Sequence, residues 1–266
     1  MANKYLTLFV FLFLTLSSCN KTFEKAMRSN DKELIIKAAE SFHERGKYRQ
    51  ASELLRRATP MVLGTPDAKR VLYLAAQNSF EDKNYLLSAV RFKNYAEGNR
   101  RDSLAENALF MAAKSYYLNS PAYNLDQSDT NEAVSVIQDY VNRYPNAKNV
   151  STANSYIIEL RQKLEKKAYE NAKSYYKTGF YKSADVSFQA FIEDYPDSKY
   201  REDAYVYLLK SRHEVALKSV LDKKRARLIE ANTAYKRLNK LYPESRYLKE
   251  ATKLNEEILK ELEQTK

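Results

Sequence analysis

Covalent chemistry needs a nucleophile, a base or a ligand set, and this chain of 266 residues offers few of them. It holds one cysteine, Cys19, two histidines, His43 and His213, and no tryptophan. A lone thiol can neither close an internal disulfide nor supply a cysteine-based metal site. The histidines fall on different helical stretches, outside any metal-ligand spacing, and read as partly exposed helix residues. Gly98 stands alone in "YAEGNRR", so there is no glycine-rich phosphate loop, and no serine stands in a nucleophile-elbow context. Without a nucleophile–base constellation the chain reads as no enzyme, with no cofactor and no metal. Two kinds of chemistry remain: modification of Cys19, and recognition through 22 tyrosines, 11 phenylalanines and 45 lysines and arginines.

Cys19 closes the stretch "FLFLTLSSCN" (Phe11–Asn20). The apolar run from Tyr5 to Leu16 follows a single charge, Lys4, and falls short of the roughly 20 residues a membrane-spanning helix needs. A charged start, a short apolar run and then Ser17 and Ser18 follow the order of a secretory signal. The motif "LSSC" (Leu16–Cys19) resembles the lipobox of bacterial lipoproteins. That resemblance implies removal of residues 1–18 and acylation of Cys19, palmitate included, leaving residues 19–29 as a lipidated tether. One acyl chain holds weakly and several hold firmly, at about 0.8 kcal/mol per buried methylene. Asn20, where an Asp would retain a lipoprotein in the inner membrane, implies an outer-membrane destination. Lys21 to Arg28 carry mixed charge and no acidic export cluster, so the anchored chain is expected to face the periplasm.

Without the signal the formal charge falls from +11, by the one charge of Lys4, to +10. Such a balance suits acidic partners, anionic lipid heads or nucleic acid, and export argues against nucleic acid. Acidic residues interleave with the basic ones, as on a solvated helix surface. Only 4 glycines and 6 prolines interrupt long polar–apolar periodic stretches, which predicts an all-α chain.

Two echoes recur. "YPNAK" (Tyr144–Lys148), "YPDSKY" (Tyr195–Tyr200) and "YPESRY" (Tyr242–Tyr247) each supply a stop and a turn before another helix. "ERGKYRQA" (Glu44–Ala51), "EDKNYLLS" (Glu81–Ser88) and "KTGFYKSA" (Lys177–Ala184) each place a tight turn before a tyrosine and a small residue three positions later. These spacings resemble the tetratricopeptide repeat, a helix pair with small residues where the helices touch. Ala39 and Ala51 mark the first unit, Ala76 and Ser88 the second, Ala113 and Ala133 the third, Ala172 and Ala184 the fourth, and Ala231 the fifth. Tyr175 joins Ala172 on the packing face. The small residue of the second helix steps through 51, 88, 133, 184 and 231, wider than the usual spacing, so the array is irregular. One long helix is expected between Asn149 and Thr178. Asn30 with Glu33 and Ser103 with Glu106 read as capping pairs. A last helix carrying Leu248, Ala251, Leu254, Ile258 and Leu262 on one face should close the stack. The expected fold is a tetratricopeptide-like helical solenoid: five helix pairs and a C-terminal capping helix, with repeats one to three in 30–146 and the rest in 147–266.

Five repeats behind a lipidated cysteine, with "YYLNSPAYNLDQSDTNEA" (Tyr116–Ala133) and "AYENAKSYYKTGFYKSA" (Ala168–Ala184), resemble the BamD family of β-barrel assembly lipoproteins. The resemblance implies a non-enzymatic scaffold that binds the periplasmic part of the central barrel subunit. It also implies neighbouring assembly lipoproteins as partners, and a part in receiving unfolded outer-membrane proteins. A generic tetratricopeptide scaffold of another envelope complex is the alternative. A carbohydrate-binding lipoprotein would need the tryptophan platforms and large insertions that this chain lacks.

The family contacts its central partner through its C-terminal half, which makes Arg201, Tyr205 and Arg212 candidate contacts. The insertion Ser120–Thr130 is expected to project toward a partner with Tyr123 as anchor. In tetratricopeptide units the first helix of each pair lines the groove through its second, fifth, ninth and twelfth positions. Those positions hold Arg70, Tyr73 and Phe80, then Phe110, Lys114 and Tyr117, then Lys166, Tyr169, Lys173 and Tyr176. In the first repeat they hold Glu33, Ile36, Glu40 and His43. A lining of rings and ammonium groups suits a peptide that ends in an aromatic residue and a free carboxylate.

Overall fold

The structure, a computed structural model, describes residues 21–265. The expectations on the signal segment and Cys19 lie outside the described residues. Among those described there are helices and no strand. A first helical stretch, α1 (residues 21–28), precedes α2 (Lys32–Glu44), α3 (Tyr48–Val62), α4 (Asp67–Glu81), α5 (Tyr85–Gly98), α6 (Ala105–Asn119) and α7 (Ser128–Arg143). The long α8 (Val150–Lys177) follows, then α9 (Tyr181–Asp194), α10 (Arg201–Leu217), α11 (Leu221–Leu241) and α12 (Leu248–Gln264). From α2 to α7, and from α9 to α12, each helix packs against the next in sequence. The fold is an all-α, tetratricopeptide-like solenoid of helix pairs.

The chain forms two compact units. One runs up to Pro121 and includes Asp126–Leu160; the other comprises Ala122–Leu125 and everything from Arg161 onward. The division falls inside α8, whereas the repeat count places it after residue 146. The first unit holds two apolar cores, one centred on Ile35, Leu54 and Leu55 and one on Phe92, Leu109 and Ile137. The second unit holds a single core around Phe188, Tyr205 and Leu228.

The small residues of the repeat pattern sit where backbones approach. Ala39, Ala51, Ala76, Ser88, Ala113, Ala133, Ala172, Ala184 and Ala231 are all fully buried. The turn echo is one structure used three times. Gly46 N–H donates to His43 and Lys47 N–H to Phe42; Lys83 to Phe80 and Asn84 to Ser79; Gly179 to Tyr176 and Phe180 to Tyr175. This paired closure is the Schellman arrangement, which needs a left-handed residue after the helix. Gly46 (φ +69°) and Gly179 (φ +82°) supply it without strain, and Lys83 (φ +58°) supplies it at a cost. The tyrosine after each turn folds back edge-on against a ring of the helix just ended. Tyr48 meets His43 at 5.6 Å, Tyr85 meets Phe80 at 5.6 Å and Tyr181 meets Tyr176 at 5.3 Å. Lys83→Gly should therefore raise the stability of the first unit by up to about 1 kcal/mol, read as a higher urea midpoint, because relief of left-handed strain exceeds the entropy cost of glycine. A lower midpoint would show that Lys83 is not strained.

The "YP" echo has its own logic. Ser198 accepts from the backbone of Tyr200 and donates to Glu165, and Ser245 accepts from Tyr247 and donates to Glu202. One serine thus braces the turn before a helix and ties it to the preceding first helix. The expected capping pairs are not formed as read. Asp31, the residue before α2, accepts from the backbone of Glu33 and Leu34, where its carboxylate outcompetes the neighbouring Asn30 amide. The start of α6 has no side-chain cap, and Asp102 instead braces the preceding turn by accepting from Leu104.

Candidate functional site

In the first unit the first helices of successive pairs are joined by polar and aromatic rungs. Arg70 on α4 grips Glu40 on α2 through Nε and Nη2, both at 2.6 Å. Tyr73 donates to Asn107 Oδ1 of α6 at 2.6 Å, and Lys69 pairs with Asp102 at 2.9 Å. The Lys114 ammonium lies 5.2 Å from the centre of the Phe80 ring. Tyr117 stacks on Tyr156 of α8 with ring centres 4.0 Å apart and donates to Glu159. That hydrogen bond, helped by burial, pushes the Tyr117 phenol up to about 12, so it stays a donor at neutral pH. A hollow of about 480 Å³ opens beside the first rungs, lined by Glu40, Lys69, Arg70, Tyr73, Gln77 and Asp102. Its cations Lys69 and Arg70 face acids of the same chain, whereas the expected lining cations Lys114, Lys166 and Lys173 make no ion pair among the described residues.

The second unit builds a similar face around Tyr207, a residue that repeat counting passes over. Its ring stacks on Phe188 at 5.3 Å and meets Tyr176 edge-on at 5.2 Å. The Lys173 ammonium lies 5.3 Å from the Tyr169 ring and 5.7 Å from that of Tyr207. Lys210 approaches the same Tyr207 ring at 5.7 Å while pairing with Glu250 at 2.6 Å. A hollow of about 230 Å³ beside them is lined by Tyr176, Lys210, His213, Glu214, Glu250 and Lys253.

Several expected roles change. Phe110, packed on Tyr140 at 5.4 Å, and Tyr169, 2 % exposed against Phe188 and Phe191, belong to the cores and not to a lining. Tyr175, expected on the packing face, is 44 % exposed. Tyr169 lies on the same stripe of α8 as Lys173 and Tyr176, but Tyr200 stacks on its ring at 4.6 Å and closes it into the core, whereas Tyr175 is turned about 100° from Tyr176, toward solvent. Ile36 is likewise fully buried. Tyr205 is 1 % exposed and serves the second core, between the guanidinium groups of Arg201 and Arg237. Arg212 is held by Asp185 at 2.9 Å and Gln189 at 3.2 Å, linking α10 to α9. Tyr123 is covered by the Lys166 ammonium at 4.1 Å, and Lys167 donates to the Leu125 carbonyl, so the middle of the insertion, Ala122–Leu125, lies against α8 within the second unit and does not project.

His43 is the partly exposed helix residue the sequence implied, whereas His213 is not. His43 Nδ1 meets Asn78 Oδ1 at 3.0 Å. The Asn78 amide is already donated to Tyr48 O and Ser52 Oγ, so His43 must carry its proton on Nδ1. His213 is buried, and burial holds its pKa below the usual value against the opposing pull of Glu214, Glu257 and Glu261. The unfolded chain therefore binds a proton before the folded one does. Stability should be full above about pH 6.5 and fall as the pH drops through the lowered folded-state pKa. Melting curves between pH 7 and 5 should show that loss, and His213→Gln should flatten it. An equal slope in the variant would assign the loss to other groups.

Among the described residues there is no group of acids, histidines or cysteines able to hold a metal, and no helix is long and apolar enough to cross a membrane. What the faces offer is recognition: rings, ammonium groups and fixed phenol donors.

A family model described as an outer membrane lipoprotein, YfiO, matches residues 27–224 and again 164–265. No curated protein matches the sequence significantly. Among solved structures, a similar chain is that of the TPR2AB-domain:pHSP90 complex of yeast Sti1. It is 12 % identical, with 85 % of this chain and 98 % of that one covered, at a TM-score of 0.38.

Proposed function

The chain belongs to the YfiO family of outer membrane lipoproteins, and from that membership we propose that it is a non-enzymatic scaffold of β-barrel protein assembly, as in the BamD family it resembles. The observation that carries this reading is the family match across residues 27–224, which takes in every repeat up to the start of α11. Cys19 is acylated and holds the chain on the periplasmic face of the outer membrane. The second unit docks the central barrel subunit, and the faces around Lys114–Tyr117 and Lys173–Tyr207 receive unfolded barrel segments. Rungs between repeats support this division of labour, because they fix the rings and ammonium groups before any peptide arrives, and a prearranged face loses less entropy on binding.

Two experiments test the parts separately. Cys19→Ala should abolish acyl labelling and release the chain from membranes; unchanged labelling would remove the anchor from the proposal. A peptide carrying an aromatic C-terminal residue should bind the purified protein more weakly when Lys114 or Lys173 is replaced by alanine, with little change in melting temperature. Its affinity should also fall with added salt, since part of the attraction is screened charge. Wild-type affinity in both variants would make these faces ordinary packing between repeats.

A further inference from the structure

The second unit carries an apolar tip that no part of the scaffold reading uses. Phe180 crowns the turn from α8 to α9 and is 63 % exposed; Val220 and Leu221 crown the turn from α10 to α11 and are 66 % and 80 % exposed. Tyr175 and Leu217, at the helix ends just before these turns, are exposed as well. The two turns are neighbours. Lys218 places its ammonium 4.2 Å from the Tyr181 ring, and a cleft of about 380 Å³ between the turns is lined by Gly179, Phe180, Tyr181, Val215 and Lys218. Contiguous exposed apolar groups of this kind mark a surface that something covers.

The surrounding charge identifies the cover. Lys177, Lys182 and Lys223 are exposed and make no ion pair among the described residues, and Lys218 reaches its one acidic neighbour, Glu214, only at 3.6 Å. Asp222 is the other acid beside the crowns. Behind them the first turn of α11 is braced: Lys224 pairs with Glu261, Arg225 donates to the Leu262 carbonyl, and Arg227 donates to Ser219. The crowns are therefore held out by a fixed base and ringed by lysines that no acid of the described residues pairs, which leaves the tip a positive rim. Large apolar side chains at protruding turns, with ammonium groups beside them, fit the boundary between acyl chains and anionic headgroups. We propose that the Phe180–Val220–Leu221 tip inserts into an anionic lipid surface, a second membrane contact independent of the acyl anchor. A protein partner is the competing cover, but it would have to supply acids matched to Lys177, Lys182 and Lys223 one by one, whereas an anionic headgroup surface meets them without a fixed register.

Flotation with phosphatidylcholine vesicles, with or without phosphatidylglycerol, tests this. The probe is the chain from Lys21 onward, which keeps every buried core residue of the structure and lacks Cys19. It should float with the anionic vesicles. The triple variant Phe180→Ser, Val220→Ser, Leu221→Ser keeps all charges and removes no core residue, so it should melt as the wild type does and bind at least about tenfold more weakly. Lys182→Glu with Lys223→Glu should erase the preference for anionic over neutral vesicles. Failure of the wild-type chain to float overturns the proposal. So does equal flotation of the triple variant, which would reduce binding to net charge. Capture of an envelope protein through the tip without vesicle binding overturns it as well, by making the tip a protein interface.

Discussion

Replacing Phe188 by alanine lowers the unfolding free energy of the second unit by about 3–5 kcal/mol. Phe188 is fully buried, lies flat on Tyr207 at 5.3 Å and meets Tyr169 edge-on at 6.2 Å. Truncation removes the apolar transfer energy of the ring and leaves a cavity that two aromatic neighbours cannot close. Domains of this size are stable by only about 5–15 kcal/mol, so such a loss takes a large share of what holds the unit together. Urea titration should show an early transition for the second unit and an unmoved one for the first, whose cores share no residue with it. A loss below about 1 kcal/mol would mean that the ring is not packed as described.

The second large effect is all-or-none. A chain ending after Leu164, one helical turn beyond Leu160, keeps both cores of the first unit and discards nearly all of the second. It should remain helical and protease-resistant and should lose the central barrel subunit completely. A cut near Pro196 is a poorer experiment, because it divides the core that joins Phe188 to Tyr205 and Leu228 and leaves apolar surface exposed. Retention of the partner by the shorter fragment would move the docking surface to the first unit.

Much of this architecture is legible in the residues alone, for a physical reason. Wherever two helices touch closely only a small side chain fits, so Ala51, Ala113 or Ala184 announces a contact by its type. A left-handed turn residue announces itself as glycine, at Gly46 and Gly179. The faces are harder to read. Tyr169 shares its stripe of α8 with Lys173 and Tyr176, and nothing near it in sequence shows that Tyr200 will stack on its ring and bury it. Tyr205 and Tyr207 are two residues apart on one helix. Tyr205 is buried in the core and Tyr207 carries the face, a difference set by the helices that arrive on either side. The rungs are also invisible locally, since Arg70 and Glu40, or Tyr117 and Glu159, are separated by a repeat or more and nothing near either residue signals its partner. Charge composition hides the same fact: a lysine that reads as free, such as Lys69 or Lys210, turns out to be paired across the stack.

The assembly role itself rests on which protein the chain holds. Affinity isolation of the full-length protein from detergent-solubilised outer membranes, followed by mass spectrometry, decides it. A β-barrel subunit with periplasmic domains should co-purify in stoichiometric amounts and disappear when the chain ends after Leu164. Recovery of a different envelope complex, with no barrel-assembly subunit in it, would contradict the proposed function and leave a tetratricopeptide scaffold lipoprotein with another partner.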